Sequence, residues 1–192
     1  EVCREGDTDE PRWGRLSLWA SLLAFNRLDC ILIVAPPMAM LGIVHWHNIR
    51  WKRVFLGLSP LLIWFAFALT YYGFVFPNTA PAKLSADIAS EAYLREGLLY
   101  VANIVRWDVV AVPVFVAFVF TAVGSTLRSV HDHTNRQVVS LAALCVGTLL
   151  YSLYVIRIGG GFLAGRFWAP VLFSAIVIVA LGFRDLLAVL PR

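Results

Sequence analysis

Four stretches of this chain contain no charged side chain at all: residues 54–76, 109–127, 138–156 and 167–183. Crossing about 30 Å of hydrocarbon as a helix takes roughly 20 apolar residues, with about 17–25 tolerated. Each stretch therefore has the length of a membrane span. The rest of the composition agrees: 60% of the 192 residues are hydrophobic and 15% are charged, with a mean hydropathy of +0.76. Soluble domains carry about 45–50% apolar and about 25% charged residues, and a core of this length could not hide the excess. An ordinary soluble domain and a disordered chain are both excluded.

The apolar stretch from Leu16 to Val44 differs from the other four. Asn26-Arg27-Leu28-Asp29 interrupts it, and Pro36-Pro37 interrupts it again. Residues 16–26 alone are too short to cross as a regular helix, so 16–44 is expected to be a broken pair, 16–26 and 30–44, meeting at Arg27 and Asp29. Charge inside a membrane is costly when it faces lipid, so such a break lines a cavity or a site. The expected fold is all-α: a polytopic transmembrane bundle of about five to six membrane segments. It forms one transmembrane region over residues 1–192, with residues 77–108 as an outer loop.

Net charge is +4, but the 16 Lys and Arg stand singly between apolar stretches, which excludes a nucleic-acid partner and fits loop charges that set orientation. Residues 1–15, 45–53, 128–137 and 184–192 hold ten of them when placed in the cytoplasm, and the opposite side holds six. That assignment puts the Asn26–Asp29 break, the 77–108 loop and the 157–166 loop on the extracytoplasmic face. The three cysteines give no disulfide framework, since Cys30 and Cys145 lie in apolar segments. No Cys/His cluster has zinc spacing: His45 and His47 flank Trp46, His131 and His133 flank Asp132, and both read as short polar loops without metal. The chain opens Glu-Val-Cys-Arg, with no signal peptide before the first apolar stretch. It is read as part of something longer.

Three polar stretches on the outer face could carry chemistry. Around Pro77, Asn78 and Thr79 offer hydrogen bonds to a polar ligand, and Lys83 offers a point charge to a phosphate; the plainer reading is an aromatic belt and a turn at a helix end. Ser90 with Tyr93, Leu94, Leu98, Leu99 and Val101 gives an N-cap and an apolar stripe. These define an outer amphipathic helix lying along the interface. It ends in Arg106-Trp107-Asp108, where Arg106 is either a phosphate clamp or the ion-pair partner of Asp108. In the third stretch Arg157 and Arg166 bracket Gly159, Gly160 and Gly161, whose backbone amides could approach an anion closely, although a flexible turn is the commoner role of such a run. Together these groups would form a basic rim above an apolar bundle, suited to a ligand with an anionic head and a long lipid tail.

Phe-Pro-Asn-Thr-Ala-Pro-Ala-Lys-Leu (76–84), Leu-Arg-Glu-Gly-Leu-Leu-Tyr (94–100), Arg106-Trp107-Asp108 and Gly-Gly-Gly-Phe-Leu-Ala-Gly-Arg-Phe (159–167) resemble one family when taken in order. It is the polyprenyl-phosphate-dependent glycosyltransferases of the GT-C superfamily, above all the actinobacterial arabinofuranosyltransferases that add terminal β-(1→2) arabinofuranose to cell-wall arabinan. Asn26-Arg27-Leu28-Asp29 similarly looks like the Arg-Pro-Asp/Glu hairpin of such enzymes. The resemblance implies a polyprenyl-phosphate sugar as donor substrate, a cell-wall polysaccharide as acceptor, no certain cofactor, and transfer on the outer face of the plasma membrane. It further implies that Asn78, Thr79 and Lys83 belong to a donor or acceptor loop. Arg106, Arg157 and Arg166 would then meet the lipid phosphate near Asp108, Gly159 and Gly160, with Arg27 and Asp29 in a secondary role.

Two departures shape the expectation. The family's glycine loop reads Gly-Gly-Asp-Phe, whereas this chain has Gly161. The family's catalytic Asp sits in a first outer loop that has no counterpart here, and Asp7, Asp9 and Glu10 fall in a stretch assigned to the cytoplasm. The chain is thus expected to be the C-terminal portion of such an enzyme, with the general base outside it. The alternative is a non-catalytic lipid-carrier-binding subunit or degenerate paralogue. A small transporter is a weaker third reading, because repeated halves are missing.

Overall fold

The structure is a computed structural model that describes residues 12–74, 90–131, 136–161 and 165–189, and among these there are helices and no strand. The described residues form seven α-helices in order: α1 Trp13–Asn26, α2 Ile31–Val44, α3 Trp51–Tyr72, α4 Ser90–Trp107, α5 Ala111–His131, α6 Arg136–Arg157 and α7 Ala169–Val189. Short 3-10 turns, Leu28–Cys30 and Trp46–Asn48, stand before α2 and α3. The protein is all-helical.

Length and composition single out the helices that can cross a bilayer. They are α3, with 22 residues, and Val138–Arg157 of α6, with 20. At about 1.5 Å rise per residue, each covers about 30 Å or more. Glu91–Trp107 and Ala111–Leu127 pass the same test only as a pair, bent by 112° at the break between them. Two helices, or three spans with the bent pair counted once, therefore have membrane-crossing length among the described residues. Leu28–Val44 and Ala169–Phe183 are apolar but shorter, so the five or six segments expected from the sequence exceed what these helices show by length.

The boundaries have local causes. Helix α3 stops at Gly73, whose φ of +74° and N–H bond to the Leu69 carbonyl (3.1 Å) make a left-handed cap. It starts three residues before the charge-free stretch, so Lys52 and Arg53 lie in its first turn. In α2 the outcome differs from the sequence expectation: Pro36 and Pro37 do not interrupt the helix, which runs through them. Proline's φ suits a helix, while residues 36 and 37 supply no N–H to the preceding turn and their rings crowd its carbonyls.

The chain divides into two compact units, Glu1–Val34 with Met38–Asp87, and Ala35–Pro37 with Ile88–Arg192. In the first, α1 and α3 run parallel. Gly14 lies against Arg53, Ser21 Oγ accepts a hydrogen bond from the Leu61 N–H (3.1 Å), and Phe25 meets Trp64 edge-to-face at 5.4 Å. Contact points therefore advance together along both helices. Ser17, Ser21 and Ala24 are buried on the α1 face, and a Cβ at Gly57 would lie 2.5 Å from the Gly14 carbonyl oxygen. Small residues let two backbones approach closely, the usual device of helix pairs in lipid. Pro60 has no N–H, and its neighbour's donor is the one that Ser21 takes up.

In the second unit α5, α6 and α7 share an apolar core of Phe118, Leu141, Cys145, Ala175 and Ile178. Helix α4 packs on α6 at one tight crossing, where a Cβ on Gly97 would overlap the Ile156 backbone. This crossing and the bond from Phe167 N–H to the Tyr100 hydroxyl place the C-terminal end of α6 and the turn before α7, which carry the candidate residues.

Candidate functional site

Arg27 and Asp29 belong to the first unit. Arg27 leaves α1 with extended dihedrals (φ −148°, ψ 107°), and the 3-10 turn that follows brings Asp29 back beside it. Arg27 donates from Nε to Asp29 Oδ1 (3.2 Å) and from Nη2 to Oδ2 (2.6 Å), a forked pair. The two side chains are only 23% and 13% exposed. Partial burial makes the pairing necessary, since either charge alone would be poorly solvated between two apolar helices.

Arg106 and Asp108, in the second unit, are arranged differently. Asp108 Oδ1 accepts hydrogen bonds from the backbone N–H groups of Val110 (3.0 Å) and Ala111 (3.1 Å), so it caps the start of α5. The Arg106 guanidinium carbon lies 5.9 Å from the Trp107 ring centroid, a cation–π contact. The Arg106–Asp108 ion pair considered from the sequence is therefore absent, because the carboxylate is engaged by the next helix. Both Arg106 and Trp107 are exposed.

The glycine turn corrects a second expectation. Gly160 N–H bonds to the Val155 carbonyl (2.9 Å) and Gly159 N–H to the Ile156 carbonyl (3.1 Å). With φ of +75° and +66°, Gly159 and Gly160 thus close α6 in a Schellman cap. Those two amides are spent on the helix end, and they are not free donors for an anion. The glycines are needed for space as well: a Cβ at Gly160 would lie 2.5 Å from Tyr100 Cγ, and one at Gly161 would lie 2.6 Å from the Phe167 ring.

Tyr100 is the residue around which this end of the second unit is built. It is buried, its ring covers Gly160, and its hydroxyl accepts a hydrogen bond from the Phe167 N–H (3.3 Å). Tyr93 lies beside Gly159, and Gly97 beside Ile156. The signal for this face was in the sequence, in the recurrence of Tyr93, Gly97, Tyr100 and Ile104 at helical spacing.

The α4–α6 crossing thus gathers Gly159 and Gly160 with the Gly165–Trp168 turn, whose N–H bonds from Trp168 (2.9 Å) and Ala169 (3.0 Å) both end on the Gly165 carbonyl. Arg157 in the last turn of α6 and Arg166 are exposed at its edges. Arg106 stands apart from the crossing, roughly 13 Å further along α4 from Gly97 at 1.5 Å per residue. An apolar groove lined by Phe115, Val116, Val119 and Phe120 lies on α5, and none of the candidate residues lines it. Asn78, Thr79 and Lys83 lie outside the described residues. Among the described residues no His, Cys, Asp and Glu group could hold a metal ion. No family model, characterised protein or solved structure matches the chain.

Proposed function

We propose that this chain is the donor-binding, C-terminal portion of a polyprenyl-phosphate-dependent glycosyltransferase of the GT-C type. It would be a multi-pass plasma-membrane protein of five to six segments, moving a pentose such as arabinofuranose to a cell-wall glycan on the extracytoplasmic face. The observation that carries the reading is the forked Arg27–Asp29 pair, held with little exposure at a break between apolar helices. Retaining charge there is costly and marks a working site in a membrane protein. The resemblance of Asn26–Asp29 to the family's hairpin gives that site its chemistry.

In this reading the leaving polyprenyl phosphate gains negative charge as the glycosidic bond breaks. Arg157 and Arg166, exposed beside the braced glycine turn, and Arg106 on α4 offer the cations that stabilise it. Asn78, Thr79 and Lys83 would engage the sugar or the acceptor. The general base comes from a carboxylate outside these residues, and inversion at the anomeric carbon follows if that base activates the acceptor hydroxyl.

One observation favours the second reading, a lipid-carrier-binding subunit without catalysis. The Gly159 and Gly160 amides are engaged in the cap, and the Phe167 ring fills the space a side chain at Gly161 would need. The deciding experiment replaces Arg106 and Arg166 by Ala in the longest native chain that contains this sequence. Transfer from a polyprenyl-phosphoryl pentose is expected to fall about a hundredfold or more. Donor binding without transfer in the unaltered protein selects the second reading, and unchanged transfer with unchanged donor affinity rejects the phosphate assignment.

A further inference from the structure

One end of the α1–α3 pair concentrates positive charge. Because the two helices run parallel, with Gly14 against Arg53, their amino-terminal ends lie together. That end carries Arg12, which precedes α1, Arg15 of α1, Arg50, which precedes α3, and Lys52 and Arg53 of α3. Arg12, Arg15 and Arg50 are engaged in contacts of their own, so Lys52 and Arg53 are the cations on which the surface rests. Lys52 and Arg53 are exposed.

The start of α3 is also electrostatically costly. Its N-cap is Arg50, no side chain caps it, and no acidic residue stands in its first turn. Cations occupy the positive end of the helix dipole, where carboxylates or phosphates are favoured. Beside them Trp46 is 65% exposed and Trp51 is 53% exposed, with the Trp51 and Phe55 rings 6.4 Å apart. Tryptophans flanking an apolar span sit at the headgroup level of a bilayer, and α3 is one of the two helices with full membrane-crossing length.

We propose that this end of the α1–α3 pair is a binding surface for anionic phospholipid headgroups, with Trp46 and Trp51 in the interfacial layer and Lys52 and Arg53 on the lipid phosphates. The occupant is a lipid because the cations border directly on a membrane-length apolar helix and are interleaved with exposed indoles. A soluble anion would need the charges and not the tryptophans. The surface lies in the first unit, and its assignment does not depend on any transferase activity.

The test uses the full chain in mixed vesicles of phosphatidylglycerol and phosphatidylcholine, with the retained lipid counted by native mass spectrometry. The unaltered protein is expected to enrich phosphatidylglycerol, and the enrichment is expected to fall as salt rises from about 0.05 to about 0.5 M. Each basic residue near an anionic surface contributes about fivefold, so Lys52→Gln with Arg53→Gln should lower the enrichment by about 25-fold. Arg95→Gln on α4, an exposed cation of the other unit, should leave it unchanged.

An equal loss in Arg95→Gln, or full competition by inorganic phosphate, overturns the proposal. So does an enrichment that the double variant leaves intact while its helical circular dichroism is preserved. Residues 1–10 contain Glu1, Glu5, Asp7, Asp9 and Glu10 and offer the competing occupant. If the unaltered chain shows no enrichment and Asp7→Asn/Asp9→Asn/Glu10→Gln creates one, the surface belongs to that acidic stretch. Should the double variant fail to fold, the salt dependence of the unaltered protein decides.

Discussion

The same pattern, Arg-X-Asp, stands at a helix break in each of the two units, and the two copies behave differently. Arg27 and Asp29 grip each other at 2.6 Å with their side chains 23% and 13% exposed. Arg106 and Asp108 part company, the arginine over Trp107 and the aspartate on the Val110 and Ala111 amides. Burial explains the contrast. Between α1 and α2 neither charge has enough water to stand alone, and the extended Arg27 backbone with a 3-10 turn folds the two together. At the α4–α5 corner Arg106 is exposed, and Asp108 finds two unpaired amides at the start of the next helix. Sequence spacing alone predicts the same pair twice; solvent and the following helix start decide whether it forms.

The contrast is most open to attack at Asp29. Asp29→Ala leaves a partly buried guanidinium without its partner, and we expect a loss of about 2 kcal/mol, between the values for exposed and fully buried pairs. Equilibrium unfolding in a mild detergent measures it. Arg27→Ala with Asp29→Ala should cost clearly less than the two single losses added, giving a coupling of more than about 1 kcal/mol. Additive losses would mean that the pair is incidental and that the two units do not differ as argued.

The capping half of the comparison is tested at Asp108. Asp108→Ala removes the acceptor for two amides and should destabilise the second unit by about 1 kcal/mol, while Asp108→Asn or Asp108→Ser should retain most of the stability. Hydrogen exchange at Val110 and Ala111 should rise in the Ala variant alone. If Asn proves as damaging as Ala, the carboxylate charge is what counts, and the helix cap is not the reason Asp108 is held away from Arg106.

How far the sequence reveals this arrangement depends on whether the cause is local. The polar breaks at 26–29 and 106–108 coincide with helix ends, and Gly73 and Gly159 stand where helices close, since capping uses residues a few positions apart. The all-helical character follows equally from apolar runs too long for anything else. Pro36-Pro37 misleads because a helix tolerates lost donors that its sequence cannot show to be unneeded. The glycine turn misleads for a different reason. Free amides and amides engaged in a Schellman cap have the same sequence, and only the approach of Tyr100 and the Gly97–Ile156 crossing reveals which is present. Those partners come from distant parts of the chain. The site thus shows its residue types in sequence, while their partners required the fold.

The smallest expected effect sharpens the comparison most, because it isolates the arginine that has no carboxylate. Arg106→Ala removes an exposed cation–π contact and should cost about 0.5 kcal/mol, with Arg106→Lys close to neutral. Its coupling to Asp108→Ala should fall below about 0.3 kcal/mol, the additivity expected of side chains that share no partner. The same cycle at Arg27 and Asp29 should give several times that value. Equal couplings at the two breaks would show that Arg106 and Asp108 do communicate in the folded protein, and burial would then no longer account for the difference between the units. A coupling near zero at Arg106 alone leaves that guanidinium energetically uncommitted within the fold, which is the condition for turning it toward an anionic ligand.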